Sequence, residues 1–219
     1  MTRREPRTKR AALGGAALLV GCLAASNAAA LPLISEFFYD AVGSDDTLSF
    51  VELYAPPGTD LSGYTLEGIN GSNGAVSPTV TLSGVVPMDG LFVVADRDSG
   101  GATSVVGADQ LANFDFQNGP DSVVLRDALG AVRDALGYGS FGVGEVFAGE
   151  GSPAPDAAPG SSLARFFANV DTDDNSVDFG LLEMPSPGQA NTVVPEPSTG
   201  LLLVSGLGLC GVKRRRSSR

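Results

Sequence analysis

The chain has 219 residues, with 29 glycines, 14 prolines, no tryptophan and no histidine. This suits one ordinary domain plus processing segments, built from short strands and turns instead of long helices. The net charge of −11 is unevenly spread: Arg3, Arg4, Arg7, Lys9 and Arg10 open the chain, Lys213, Arg214, Arg215, Arg216 and Arg219 close it, and Leu31 to Pro197 sets 24 acids against four arginines. That acidic middle repels nucleic acid and anionic headgroups, and stays soluble. Without histidine there is no Ser-His-Asp or Cys-His catalysis, no imidazole base and no histidine metal site.

The first thirty residues have a basic start, an apolar stretch from Ala11 to Ala25 and small residues up to Leu31. This is the layout of a secretory signal peptide, with Ala28-Ala29-Ala30 giving the small-x-small pattern that signal peptidase accepts. Cleavage after Ala30 is expected, leaving Leu31 as the mature N-terminus. A second reading is a lipobox at Leu19-Val20-Gly21-Cys22, in which Cys22 would be acylated; a protein beginning at Cys22 would establish it. Arg3-Arg4 lacks the apolar positions of a twin-arginine signal. The cysteines, Cys22 and Cys210, both lie in the terminal apolar segments. The predicted mature body therefore has no disulfide, thiol nucleophile or thiolate metal site.

Between the ends, β-branched and aromatic residues with partial alternation predict strands at 33–39, 48–54, 63–69, 78–84, 90–96, 121–127, 131–138 and 162–170. Turn signals separate them, among them Pro56-Pro57-Gly58, Asn70-Gly71 and Asn118-Gly119-Pro120. About eight strands at this spacing point to an antiparallel β-sandwich. Residues 109–113 fit one helical turn. The Pro/Gly/Ala-rich stretch 149–162 reads as a long, mobile loop.

Two places carry chemistry worth weighing. Glu36 and Glu52 lie inside strands. They offer a carboxylate pair of the kind a hydrolase uses as acid and base, but the favoured reading has them bonding turns or arginine partners. In "DTDDNSVD", Asp171, Asp173 and Asn175 fall at alternate positions and Asp178 follows, a pattern of oxygen ligands that suits Ca²⁺. It is not an EF-hand, because Ser176 stands at the glycine position and Leu182 at the position of the final glutamate. The other reading has these acids capping turns and contacting Arg165, whose planar fork suits carboxylates. No Gly-rich phosphate loop with a lysine is present.

Several motifs together resemble the lamin tail domain. They are Ile34-Ser35-Glu36-Phe37, Phe50-Val51-Glu52-Leu53-Tyr54 and Asp60 to Leu66, then Gly119 to Leu125 with Gly130 and Asp134, and Ser162-Leu163-Ala164-Arg165. Asp171 to Asn175, Asp178-Phe179 and Pro185-Ser186-Pro187-Gly188 with Asn191 complete the set. Tyr64 stands where that family usually has tryptophan, and Ala55 where asparagine often follows. The resemblance implies an all-β, immunoglobulin-like sandwich over 31–192 and no shared catalytic site.

At the C-terminus, the apolar run Thr199–Val212 would span roughly 21 Å as a helix, against a bilayer core of about 30 Å. Four glycines weaken it further, while Lys213 to Arg216 can hold that end inside. Ahead of it, Pro195 and Pro197 keep the chain extended. Val194-Pro195-Glu196-Pro197-Ser198, the Leu/Gly-rich run and the basic cluster Lys213, Arg214, Arg215 and Arg216 together resemble the PEP-CTERM sorting signal. That resemblance implies a Gram-negative, exopolysaccharide-making bacterium and a membrane-anchored precursor. It also implies an exosortase-type membrane enzyme that cuts near the Pro-Glu-Pro motif and releases or reattaches the protein outside.

The sequence thus divides into a signal peptide (1–30), a β-sandwich (31–192) and a sorting segment (193–219). The expectation is an exported, non-catalytic protein without cofactor, of structural or adhesive role at the cell surface or in the extracellular matrix. Its partners would be signal peptidase, the exosortase-type enzyme, and exopolysaccharide or surface proteins, with transient membrane insertion and no nucleic acid. The alternative is a carbohydrate- or protein-binding module, either independent of calcium or dependent on it.

Overall fold

The computed structural model describes residues 32–189. Ten strands form: β1 (Leu33–Phe38), β2 (Phe50–Tyr54), β3 (Thr65–Asn70), β4 (Val76–Thr81), β5 (Leu91–Asp96), β6 (Gln110–Ala112), β7 (Asp121–Arg126), β8 (Val132–Tyr138), β9 (Ser162–Arg165) and β10 (Phe179–Leu182). They build a six-stranded sheet in the order β10-β9-β1-β2-β5-β6 and a four-stranded sheet in the order β4-β3-β7-β8. The β-sandwich expected from the sequence is therefore present.

The core lies between the sheets. Val51 and Leu53 of β2, Phe92 and Val94 of β5, Leu66 of β3, Val123 and Leu125 of β7 and Leu136 of β8 meet there, following the period-2 rule of a strand. β1 breaks that rule. Ile34 and Phe37 both enter the core although they are three positions apart, an odd spacing that plain alternation would place on opposite faces. A register shift between Ile34 and Glu36 resets the phase, as a bulge does.

Three expectations are corrected. Residues 110–112 form β6, which pairs in parallel with β5, instead of a helical turn; the Asp109 carboxylate accepts from the Val93 amide and seats the segment at the sheet edge. The predicted strand at 162–170 stops at Arg165. After a one-turn helix, α1 (Asn175–Asp178), capped by Asp174, the chain returns as β10, a strand not expected from the sequence.

The third correction concerns 149–162, which is pinned instead of mobile. Ala154 is buried, and its amide donates to the Gly137 carbonyl (2.8 Å) while its carbonyl accepts from Gly139 (3.2 Å). The Ala157 amide donates to the Tyr39 hydroxyl (2.9 Å). Gly149 lies so close to β8 that a Cβ there would fall 2.4 Å from the Gly137 nitrogen and 2.5 Å from Asn175 Oδ1. Gly149→Ala must push backbone away from backbone. It is expected to cost about 1–3 kcal/mol in urea unfolding, the usual range for overpacking.

Candidate functional site

The side chains that could carry chemistry gather at two buried centres. The first surrounds Arg165, which ends β9 and is fully buried. Its Nε donates to the Ile34 carbonyl (3.0 Å), and its Nη2 to Asp134 Oδ2 (2.9 Å) and Oδ1 (3.1 Å). Nη1 donates to Asp178 Oδ2 (2.9 Å), the Val170 carbonyl (3.0 Å) and Asp171 Oδ1 (3.4 Å). The Phe179 ring lies under the guanidinium, 4.5 Å from centroid to carbon. Asp134 belongs to β8 of the four-stranded sheet, and Arg165 to the six-stranded one. The ion pair therefore ties the two sheets together through the core. Asp134 also accepts from the amides of Ile34 and Ala135. Burial pushes its carboxyl up, while the Arg165 charge and the Ile34 amide work the other way.

The contact expected between the acid run and Arg165 is made by Asp171 and Asp178. The four calcium candidates have different surroundings. Asn175 is fully buried; its Oδ1 accepts from the amides of Gly137 (2.8 Å) and Glu150 (2.9 Å), and its Nδ2 donates to the Ala135 carbonyl. Both Oδ1 lone pairs are thus taken. Asp178 accepts from Thr172 as well as Arg165. Asp171 takes the Asp173 amide in a tight turn. The carboxylates that do converge are Asp134, Glu150 and Asp171, whose oxygens lie within 4.8 Å of one another. The Arg165 guanidinium already sits against two of them and supplies the positive charge. Burial and the charges of Asp134 and Asp171 push the half-buried Glu150 carboxyl up to about 8. Sequence reasoning misses Glu150 and gives Asp134 no partner.

The second centre is on the outer face of the six-stranded sheet. Glu36 and Glu52 are cross-strand neighbours, and both are fully buried. What covers them is the last described stretch of chain, 185–189. Ser186 donates to Glu36 from its amide (2.9 Å) and its hydroxyl (3.0 Å), and the Gly188 amide donates to Glu52 Oε2 (2.8 Å). Ser162 Oγ adds a bond to Glu36 (2.6 Å). The turn contact expected of these two glutamates is present, and the side-chain bonds they accept come from serines. Glu36 and Glu52 thus hold down a strap that leads to the C-terminal segment.

Burial pushes the Glu52 carboxyl up to about 7; the Gly188 amide and Ser35 hydroxyl pull it back, and the Glu36 charge adds to the rise. The unfolded chain releases this proton near 4.5 and the folded chain near 7. Between those values the folded state binds more protons. The contribution of Glu52 to stability is therefore greatest below about 4.5, falls as pH rises, and levels off above about 7, a change of about 3 kcal/mol. Glu52→Gln is expected to melt higher than the parent at pH 8 and to lose this part of the slope between pH 5 and 7. Thermal melts of the two proteins across that range check it.

The remaining sites expected from the sequence lie outside the described residues. These are the signal segment 1–30 with Cys22, the sorting residues Pro195, Glu196, Pro197 and Ser198, the basic cluster Lys213 to Arg216, and the apolar run 199–212. Among the described residues no helix is long and apolar enough to cross a membrane. Comparison with known families bears on that C-terminal segment: the model of the PEP-CTERM protein-sorting motif matches residues 193–217. The chain carries a PEP-CTERM sorting motif. That motif indicates an exosortase-sorted exported protein, with membrane-associated sorting in a Gram-negative bacterium. The PEP-CTERM segment thus starts four residues after Gln189, where the described body ends. No curated protein matches the chain.

Proposed function

We propose that this is an exported, non-catalytic β-sandwich protein whose role is structural or adhesive, at the cell surface or in the exopolysaccharide matrix. One observation carries the reading: the carboxylates best suited to chemistry are used as ties. Asp134, Asp171 and Asp178 are held by Arg165, and Glu36 and Glu52 by the strap. The lamin-tail resemblance supports the same role. So does the charge pattern: Arg126 and Arg133 pair with Glu67 and Asp127, as Arg165 does with its own acids. Little positive charge is left facing outward on an acidic body.

Cell fractionation tests the reading. With the motif intact, the protein is expected outside the cell or at its surface. With Pro195, Glu196 and Pro197 replaced by alanine, it is expected to stay as a membrane-bound precursor. Equal distribution of the two forms would contradict export through this motif.

A binding module is the second reading. Its observation is an apolar hollow of about 290 Å³ lined by Phe166, Phe167, Val170 and Val177, with Phe167 61% exposed. Calcium dependence belongs to this second reading. The structural reading predicts neither heat nor a melting shift when millimolar Ca²⁺ is titrated in, because Asn175 and Asp178 already have their partners. Binding heat abolished by Asp173→Asn would favour the module.

A further inference from the structure

Two carboxyl groups lie side by side on the outer face of the six-stranded sheet with no cation beside them. Glu36 and Glu52 are cross-strand neighbours, and neither is exposed. The described body has no lysine or histidine, and its four arginines are bound elsewhere. Arg126, Arg133 and Arg165 pair with Glu67, Asp127 and Asp134, and Arg97 donates to the Asp98 carbonyl. The charged groups that do face Glu52 are themselves acidic: Glu36 from β1 and Asp89 from the turn before β5. Asp109, beside β5, is taken by the Val93 amide. β9 contributes the neutral Ser162 hydroxyl, and residues 185–189 hold no titratable side chain. Two like charges in a buried site without a cation are strongly disfavoured together.

What closes the site is a tight turn. The Gln189 amide donates to the Ser186 carbonyl (3.0 Å), Pro187 and Gly188 occupy the central positions, and Gly188 has a φ of 72°. Proline followed by glycine presets such a turn. It aims the amides of Ser186 and Gly188, and the Ser186 hydroxyl, at the carboxyl pair. None of residues 183–189 is fully buried, so the turn can lift without opening the core between the sheets. We propose that residues 186–189 are a proton-dependent latch. The turn closes over the Glu36–Glu52 pair while the pair holds a proton, and lifts, with the body still folded, when both carboxyls are charged. Lifting returns Glu52 to water, where it ionises near 4.5; under the closed turn it ionises near 7. Closure is therefore strongest below about 4.5, weakens by up to about tenfold per pH unit between the two values, and levels off above about 7. Burial pushes Glu36 up as well, and the bonds from Ser162 and Ser186 pull it back. The latch stands apart from the role proposed above and does not depend on it.

Hydrogen exchange of the full chain in detergent micelles tests the latch between about pH 5 and 8. Exchange is read by mass on a peptide spanning 183–189 and divided by the intrinsic rate at each pH, with β7 (Asp121–Arg126) as the reference. The strap amides are expected to exchange ahead of β7 throughout. Their protection is expected to fall by up to about tenfold per unit as pH rises to about 7, and then to level off. Glu52→Gln keeps the site neutral and is expected to hold strap protection within about twofold across the range. Gly188→Ala leaves both carboxyls in place but strains the turn, and is expected to lower strap protection about fivefold or more at the acid end. Strap protection that does not change with pH in the parent would overturn the proposal, as would the same slope surviving in Glu52→Gln. So would a strap that exchanges only in step with β7, because its opening would then belong to global unfolding.

Discussion

Arg165→Met is expected to lower the unfolding free energy by about 3–5 kcal/mol, the range for removing one partner of a buried ion pair. The guanidinium is fully buried and bonds to Asp134 and Asp178, themselves buried, so the substitution strands their charge in the core. It also frees the Ile34 and Val170 carbonyls and cuts the tie between the sheets. Arg165→Lys is expected to recover little, because one ammonium cannot reproduce the planar fork on Asp134 and the opposite branch on Asp178 together. Adding Asp134→Asn to Arg165→Met should cost less than the sum of the two single changes, since their partner is then already lost. Urea unfolding of the parent, the three single variants and the double variant gives these numbers. A loss below about 1 kcal/mol for Arg165→Met would mean that the network is incidental.

Phe37→Ala is expected to cost a similar amount, about 3–5 kcal/mol, for a different reason. Phe37 is fully buried at the centre of an aromatic group, with the rings of Tyr39, Phe116 and Tyr138 at 5.0, 5.3 and 5.3 Å. These rings come from both sheets and from the connection before β7, so truncation opens a cavity that no single element can close. No cysteine lies between Cys22 and Cys210, so no disulfide limits the unfolded chain of the body. The core and the Arg165 network must do that work alone. Leu129→Ala, at a position 93% exposed in the β7–β8 turn, serves as the control and should change stability by less than about 0.5 kcal/mol.

The sequence makes the sandwich legible because most strands announce themselves locally. "FVELY", "LFVVAD" and "DSVVLR" are rich in residues that fit a pleated, half-buried surface. The short edge strands do not show. "QLA" is three residues long and becomes β6 only because β5 lies beside it, and "FGLL" comes after an acid-rich turn that masks it. Residues 149–162 resemble a free loop because proline, glycine and alanine carry no periodic signal. Their attachment depends on Gly137 and Tyr39, neither of which is a neighbour in sequence.

The site is half legible for the same reason. The partnership of Arg165 with Asp171 and Asp178 can be read from nearby residues of opposite charge. Its stronger partner Asp134, 31 positions away on the other sheet, cannot. Glu36 and Glu52 are visible as acids within strands, but their burial depends on Ser186 and Gly188, which close over them from about 150 and 136 residues along the chain. Sorting, by contrast, is encoded in one short linear stretch and needs no fold to be read.

The central claim is that this domain is the part left outside once both terminal segments have been removed. Intact mass spectrometry of the exported protein, with sequencing of both its ends, tests that most directly. The account predicts a single body that begins at Leu31, ends close to Pro195–Pro197 and lacks the basic cluster Lys213 to Arg216. An exported protein whose mass includes residues 199–219 would contradict it.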